Sequence, residues 1–298
     1  MSGFSLAGFL EAERAGVETA LSAVGDALGP GRLGDAIRYA LEAGGKRLRP
    51  ILCVAACRAV AGDTPAPVFR LAAALELIHT YSLVHDDLPS MDDDPVRRGR
   101  PATHVAHGVT TATVAGAAMI PLAVRVAAAA AAELGLARRG RSGIVVELCA
   151  AAGQEGMVAG QALDLEAERR PVALEELERI HRLKTGALLA ASPRIGGLAA
   201  EADDLELAAL DTFGRALGLA FQITDDILDV TGDADVLGKA AGRDTRLEKA
   251  TYPGLAGLDE ARARARREAD VARAALAAAG IDSEELDALA AYAVERDR

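Results

Sequence analysis

Alanine and leucine recur at helical spacing along almost the whole chain, and this periodicity limits what the sequence can fold into. Short clusters of Gly, Pro, Asp or Ser interrupt the pattern, as in GDALGPGRLG, AGDTPAP and AAAGIDSEE. Almost no segment alternates apolar and polar residues with period two, and runs of β-branched residues are scarce. We therefore predict an all-α protein.

The number of domains follows from what separates the predicted helices. A chain of 298 residues is long enough for two domains of ordinary size. No Ser/Gly-rich linker, low-complexity tail or internal repeat divides the sequence into halves, and hydrophobic residues make up 51% of it. We expect one large helical domain over residues 1–298.

The charge of the chain argues against nucleic acid as a partner. The formal net charge is −11, aromatic residues make up 3%, and there is no tryptophan. Binding to a polyanion requires a basic surface, usually with aromatic side chains for stacking. We predict no nucleic-acid partner.

The N-terminal segment and the cysteines indicate a cytoplasmic protein. Glu11 and Glu13 fall where a signal peptide needs an apolar core, and no basic segment precedes them. Cys53, Cys57 and Cys149 are odd in number, and the first two have helical spacing, so we expect buried free thiols. The longest uncharged run, 109–124, is too short for a bilayer span, and we predict a core helix there.

Two clusters of aspartates are candidates for a functional site. The first contains Asp86, Asp87 and Asp92–Asp94, and the second contains Asp225, Asp226 and Asp229. An apolar stripe at helical spacing leads into the first cluster through Leu71, Leu75, Ile78 and Ser82. Phe221 and Gln222 precede the second cluster at similar spacing. Apolar stripes that end in carboxylates indicate a polar site at the mouth of an apolar cavity.

Packed carboxylates repel one another unless cations neutralise them, and all-oxygen clusters suit Mg²⁺ or Ca²⁺ better than zinc. Asp225 and Asp229 are one helical turn apart and can share a cation. Asp86 and Asp92 cannot share a straight helical face, but Pro89 would disrupt the helix and let Asp92 return toward Asp86. A solvated acidic helix end is the alternative interpretation for either cluster alone.

Two basic motifs accompany the aspartates: GGKRLRP at 44–50 and RRGRP at 97–101. Glycine allows close backbone approach, and arginine binds phosphate oxygens through two parallel hydrogen bonds. A solvated cationic face is the alternative for each motif alone. Together the four motifs indicate a site for two diphosphates, one bound through metal and one bound by cations, beside an apolar cavity.

Six segments resemble successive motifs of the trans-isoprenyl diphosphate synthases, in particular the bacterial farnesyl diphosphate synthase branch. They are GGKRLRP, HTYSLVHDDLPSMDDDPVRRGRPATH, GQALDLEAE, HRLKTGALL, FQITDDILDVTGD and KATYPGLAGLDEAR. The resemblance extends from about residue 36 to the C-terminus in the order of the family.

The resemblance implies a single large helical bundle of the isoprenoid synthase type around a deep central cavity, a homodimer, and three Mg²⁺ ions or Mn²⁺ in their place. It implies isopentenyl diphosphate and an allylic diphosphate as substrates. The implied metal ligands are Asp86, Asp87, Asp92, Asp225, Asp226 and Asp229. The implied contacts to the allylic diphosphate are Arg97, Lys184 and Lys239, and Lys249 resembles another diphosphate contact. The implied isopentenyl diphosphate site comprises Gly45, Lys46, Arg49, His79 and Arg98, while Thr185 and Gln222 would line the reacting carbons.

Product length should depend on the residues that close the cavity below the carboxylates. Ser82 lies one helical turn before Asp86, whereas Tyr81 is rotated roughly 140° away on a regular helix. Both positions act as floor residues in the family, and an aromatic residue there resembles C15 producers. We expect farnesyl diphosphate, with geranylgeranyl or geranyl diphosphate as alternatives.

Several positions depart from the family pattern, and two of them, Ala117 and Pro193, bear on the cavity and on the helices. Ala117 stands where the family usually has an aspartate, so a carboxylate that supports the cavity would be missing. Pro193 is expected to interrupt or kink the helix that begins near Lys184. Ala117 keeps open a non-catalytic subunit of a heteromeric prenyl synthase. A terpene cyclase would not need GGKRLRP, and an HD-type phosphohydrolase would need more histidines than the five present.

Overall fold

The computed structural model describes residues 4–168, 170–231 and 250–296, which form helices connected by short turns. The helices in chain order are α1 (Leu6–Asp26), α2 (Arg32–Leu41), α3 (Leu48–Ala61), α4 (Ala66–Asp86), α5 (Thr103–His107), α6 (Val109–Glu133), α7 (Arg138–Ala152), α8 (Met157–Ala167), α9 (Leu174–His181), α10 (Ala187–Ala199), α11 (Asp204–Thr231), α12 (Tyr252–Ala256), α13 (Leu258–Ala278) and α14 (Glu284–Glu295). A π turn, Arg182–Gly186, joins α9 to α10, and a two-stranded hairpin pairs β1 (Val96–Arg97) with β2 (Arg100–Pro101). The prediction of an all-α protein is confirmed.

Helix α4 lies at the centre of the described core. Leu71, Leu75, Leu77 and Ile78 are each at most 1% exposed, although they point to different sides of the helix. Because neighbouring helices surround it, its C-terminal residue Asp86 ends inside the molecule instead of at the surface. This burial is what places the first aspartate cluster in a cavity.

Helix α6 is, within the described ranges, the one helix long and apolar enough to cross a membrane. One of its faces packs into the core, where Ala115, Met119 and Ala123 are fully buried. Val109 and Val114 on the helix are exposed. The structure therefore shows a core helix, as the sequence predicted, with an apolar face left at the surface.

Pro193 was expected to interrupt or kink its helix, and the structure shows no interruption. Helix α10 continues through Pro193, which is buried. Close packing holds the helix on both sides: Gly196 lies against the backbone of Cys53 in α3, and Gly214 of α11 lies against Ala190. This tertiary packing outweighs the hydrogen bond that proline removes. The irregular backbone lies earlier, in the π turn.

Candidate active site

A cavity of about 1150 Å³ opens between the loop before α3, the C-terminal end of α4, α8, the π turn and α11. Most of the site residues predicted from the sequence line it: Gly45, Lys46, Arg49, His79, Tyr81, Ser82, Asp86, Asp92, Arg97, Arg98, Lys184, Thr185, Gln222, Asp225, Asp226 and Asp229. Asp87 lies behind the wall of this cavity, and Lys239 and Lys249 lie outside the described residues. The fold thus brings both aspartate clusters and both basic motifs to one place.

The first aspartate cluster is formed by a chain reversal at the end of α4. Helix α4 ends at Asp86, and the backbone N–H of Asp92 donates to the carbonyl oxygen of Asp86 at 2.9 Å. The reversal includes Pro89, which cannot continue the helical hydrogen bonds. Burial raises the pKa of Asp86; Lys184 opposes this shift, and the nearby Asp92 adds to it. The two carboxylates therefore face the same part of the cavity.

Asp87 is held by Arg97 instead of facing the cavity. The side chain of Asp87 is 3% exposed, and Arg97 Nε donates to its Oδ1 and Oδ2 at 3.0 and 3.1 Å. A predicted metal ligand and a predicted diphosphate contact thus form an ion pair, and their roles toward ligands stay predictions.

The second basic motif forms the hairpin of β1 and β2. Arg98 and Gly99 make its two-residue turn with φ of 52° and 73°, as a type I′ turn requires. The turn directs Arg98 back to GGKRLRP, where its guanidinium donates to the carbonyl oxygen of Gly44. Gly45 makes room for this contact, because a Cβ there would lie 2.6 Å from Arg98 Nη1. The two basic motifs therefore form one cationic wall.

Arg47, in the middle of GGKRLRP, has a fully buried side chain that is paired with glutamates. It is buried between Glu18 and Glu76, which accept its hydrogen bonds at 2.7 and 2.6 Å. This pairing ties α1 and α4 to the residue that precedes α3, so Arg47 has a structural role. The spacing of the motif did not distinguish it from Lys46 and Arg49.

Arg49 and His79 form the deepest part of the cationic wall. The Nε of Arg49 is buried and has no hydrogen-bond partner. Burial lowers the pKa of Arg49, and burial together with the charges of Arg49 and Arg98 lowers the pKa of His79 well below its usual range. A buried cation with an unused donor is suited to binding an anion.

The three aspartates of the second cluster have different surroundings. Asp225 faces the cavity and accepts a hydrogen bond from Arg296 at 2.8 Å, yet burial still raises its pKa. Asp226 is buried, and its Oδ2 lies 3.0 Å from Nε2 of His181 and accepts from the backbone N–H of Tyr252 at 2.8 Å. Asp226 therefore connects α11 to α9 and α12.

The π turn presents Lys184 and Thr185 to the cavity side by side. Lys184 Nζ lies 2.6 Å from Asp164 Oδ2 on α8. Helix α8 can approach this closely because residue 160 is glycine: a Cβ there would lie 2.1 Å from the backbone nitrogen of Lys184. The close approach fixes where the lysine enters the cavity.

Tyr81 and Ser82 both line the cavity, although adjacent residues on a helix point about 100° apart. Tyr81 is buried, and its hydroxyl donates to the carbonyl oxygen of Ala152 at 3.3 Å. Burial raises the pKa of this phenol to about 12. The ring therefore occupies a fixed position in the apolar part of the cavity.

The lining residues absent from the predicted site include four polar ones with a defined place in it: Gln161, Asp164, His181 and Arg296. Gln161 and Asp164 belong to GQALDLEAE, a segment whose resemblance to the family does not by itself predict a role for either residue. Both polar atoms of the Gln161 side chain are buried without a hydrogen-bond partner. Arg296 belongs to no motif, so only the folded structure could reveal it.

Ala117 was expected to mark a missing carboxylate near the cavity, but the structure places this residue elsewhere. Ala117 is exposed on α6 and does not line the cavity. An aspartate at this position would face outward, so its loss does not remove a cavity carboxylate.

The oxygen donors on the two walls fit divalent metal, although the site is not a preformed cage. Asp229 Oδ2 is buried with no hydrogen-bond partner, and Asp86, Asp92 and Asp225 face the same cavity. Within the described ranges, no three His, Cys, Asp or Glu side chains come together as a metal-binding group. Metal at this site would therefore need oxygens from a ligand as well as from the protein.

Comparison with known proteins places this geometry in a family. Residues 30–292 match the family model described as polyprenyl synthetase. The chain is 45% identical to farnesyl diphosphate synthase of Geobacillus stearothermophilus, covering 93% of this chain and 96% of that one. It is 46% identical to the farnesyl diphosphate synthase of Escherichia coli over 89% of both chains.

Other similar proteins include a synthase of different product name and a solved structure. The large subunit 1 of a heterodimeric geranylgeranyl pyrophosphate synthase of Arabidopsis thaliana is 43% identical over 89% of this chain and 71% of its own. The crystal structure of an FPP/GFPP synthase from Zymomonas mobilis superposes with a TM-score of 0.81 at 34% identity, covering 97% of each chain.

Proposed function

Since the chain belongs to the polyprenyl synthetase family and is a prenyltransferase, we propose that it condenses isopentenyl diphosphate with dimethylallyl or geranyl diphosphate to give farnesyl diphosphate. The observation that carries this proposal is the single cavity lined by both aspartate clusters and by the cationic wall. Farnesyl diphosphate synthases of two bacteria at 45 and 46% identity support the product.

The two diphosphates would bind at different parts of the cavity. Lys184 and Arg97 lie near the first aspartate cluster and would hold the allylic diphosphate. Lys46, Arg49, Arg98 and His79 would hold isopentenyl diphosphate, which needs no metal there because three cations and an imidazole surround it. Lys239 and Lys249 stay predicted diphosphate contacts.

The reaction breaks the allylic C–O bond, joins the isopentenyl double bond to the allylic carbon, and loses one proton. Lys184 would stabilise the negative charge on the departing diphosphate as the bond breaks. Thr185 and Gln222 line the cavity beside it, where their oxygens would face the electron-deficient carbon. The apolar part of the cavity would keep water away from this carbon, which water would otherwise capture. The departing diphosphate takes up the proton.

Asp86, Asp92, Asp225 and Asp229 would hold Mg²⁺ or Mn²⁺, with three ions per site proposed from the family resemblance. Bound metal neutralises diphosphate oxygens and so lowers the barrier to their departure. Both oxygens of Asp87 accept from Arg97, so Asp87 would join the metal site only by exchanging this partner. The contacts of Asp226 to His181 and Tyr252 use Oδ2, so Asp226 would bind metal through Oδ1.

Tyr81 would set the product at fifteen carbons by closing the apolar end of the cavity. The alternative product, geranylgeranyl diphosphate, rests on the 43% identity to a geranylgeranyl pyrophosphate synthase subunit. A cavity extended past Tyr81 would be needed for it.

We further propose a single cytoplasmic domain over residues 1–298 that acts as a homodimer. The exposed apolar residues Val105, Val109 and Val114 on α5 and α6 support the dimer, because a partner subunit that covers them would remove their apolar surface from water. Sedimentation of the purified protein tests it.

The test of the function is a product assay with labelled isopentenyl diphosphate and Mg²⁺, in which each allylic starter is offered separately. We expect a C15 product that disappears with chelator. Asp86→Asn should abolish it, whereas the control Asp259→Asn, at the exposed start of α13, should not. A C20 product would overturn the product assignment, and no condensation with either starter would overturn the proposed function.

A further inference from the structure

Arg296, almost at the C-terminal end of the chain, reaches into the second aspartate cluster. Its Nη2 donates to Asp225 Oδ1 at 2.8 Å and to the carbonyl oxygen of Phe221 at 2.7 Å. Its Cζ lies 3.6 Å from the centre of the Phe221 ring. Three contacts to two residues of α11 fix the guanidinium in one position.

The two partners of this ion pair differ in exposure. The side chain of Arg296 is 2% exposed, whereas that of Asp225 is 42% exposed and faces the cavity. Both residues line the cavity, and the carboxylate is the more accessible partner of the pair. The contact uses Oδ1, so the other oxygen of Asp225 is the one available to a ligand in the cavity.

We propose that Arg296 is a positioning residue that orients the Asp225 carboxylate and lowers its affinity for divalent metal in the substrate-free protein. This inference rests on the proposed function, in which Asp225 holds metal. A guanidinium and a divalent cation that share one carboxylate repel each other, and the repulsion weakens when a diphosphate adds negative charge. Arg296 thus limits metal binding at this wall until substrate arrives.

The test measures Mn²⁺ binding without any diphosphate, from the decrease of the free Mn²⁺ signal in electron paramagnetic resonance. Arg296→Met keeps an apolar contact to Phe221 and removes the charge, and Arg296→Lys keeps the charge. Arg267→Met, which removes an exposed arginine on α13, is the matched control. We expect Arg296→Met to bind Mn²⁺ roughly tenfold more tightly, while Arg296→Lys and the control stay within about twofold of the unaltered protein.

Equal changes in Arg296→Met and Arg296→Lys, or no gain in Arg296→Met, would show that Arg296 only anchors the C-terminal segment and would overturn the inference. Circular dichroism establishes that each variant is folded, and Arg296→Gln provides a second neutral substitution. Asp225→Asn separates this inference from the proposed function. Weaker Mn²⁺ binding in Asp225→Asn without a gain in Arg296→Met overturns the inference alone, whereas unchanged binding in Asp225→Asn overturns the metal role of Asp225 as well.

Discussion

The ε-amino nitrogen of Lys184 lies 2.6 Å from Oδ2 of Asp164, across the gap between the π turn and α8. The two side chains are 26 and 18% exposed, and both line the cavity. An ammonium group has three protons, so a lysine held by one carboxylate still has donors for a diphosphate. The pair therefore orients Lys184 and leaves N–H donors of its ammonium group available to a ligand.

Replacing Asp164 with asparagine should impair catalysis by releasing Lys184. We expect kcat/KM for the allylic diphosphate to fall about tenfold in Asp164→Asn, because a flexible lysine stabilises the departing diphosphate less well. Steady-state kinetics measure the change. Asp211→Asn, which breaks a surface ion pair with Arg215, is the control. Unchanged kinetics in Asp164→Asn would show that the pair has no part in catalysis.

Substituting Gly160 with alanine should separate α8 from the π turn. The added Cβ would lie 2.1 Å from the backbone nitrogen and 2.5 Å from the Cα of Lys184, so one element must move. We expect the free energy of unfolding to fall by about 1–3 kcal/mol, measured by urea unfolding.

Gly140→Ala on α7 is the control for the same chemical change. The nearest atom to its new Cβ is 3.6 Å away, so this variant should be more stable than the unaltered protein by up to about 1 kcal/mol. Two variants of equal stability would contradict the close contact at Gly160.

Replacing Tyr81 should change the length of the product. Tyr81→Ala removes the ring from the apolar part of the cavity, and we expect products longer than C15 in chromatography of the reaction mixture. Tyr81→Phe keeps the ring and loses only the hydrogen bond to Ala152, so its product should stay at C15. A C15 product from Tyr81→Ala would rule out Tyr81 as the residue that closes the cavity.

His79 should make the protein less stable in acid. Burial, and then the charges of Arg49 and Arg98, keep the pKa of His79 well below its usual range. The unfolded chain binds a proton near pH 6.5 that the folded chain does not bind, so the free energy of unfolding falls as the pH decreases below about 6.5.

His79→Gln should remove this contribution. We expect its free energy of unfolding, measured in urea at a series of pH values, to fall less between about pH 6.5 and 5 than that of the unaltered protein. His107→Gln, which removes an imidazole outside the cavity, is the control. Parallel curves for His79→Gln and the unaltered protein would mean that His79 is protonated in the folded state.

The fold was predictable because helical periodicity is a local property, and the aspartate clusters were predictable because their spacing is local too. Pro89 also indicated from sequence that Asp92 would return toward Asp86, and the backbone hydrogen bond between them shows this return. Local sequence patterns predict structure where the backbone conformation over one or two helical turns depends on residues that are close in sequence.

Contacts between distant segments could not be predicted in this way. Arg47 and Arg49 are both arginines of GGKRLRP, and the motif does not distinguish them. Arg47 has a structural role only because Glu18 and Glu76, in other helices, lie where they accept its hydrogen bonds. Helix α10 continues through Pro193, where α3 and α11 pack closely against it. Arg296 contacts Phe221 from 75 residues away, a separation at which sequence spacing carries no geometric information.

The π turn at Arg182–Gly186 sets a requirement on chain length as well as on residue type. A π turn holds one residue more than an α-helical turn, so α10 is out of phase with α9 by about 100°. Deleting any one of these five residues would let α9 and α10 merge into a regular helix. If α10 then kept its buried face, α9 would have to rotate, and His181 would leave Asp226. The extra residue of the π turn is therefore required for the position of Lys184, because without it the turn that carries this lysine would become regular helix.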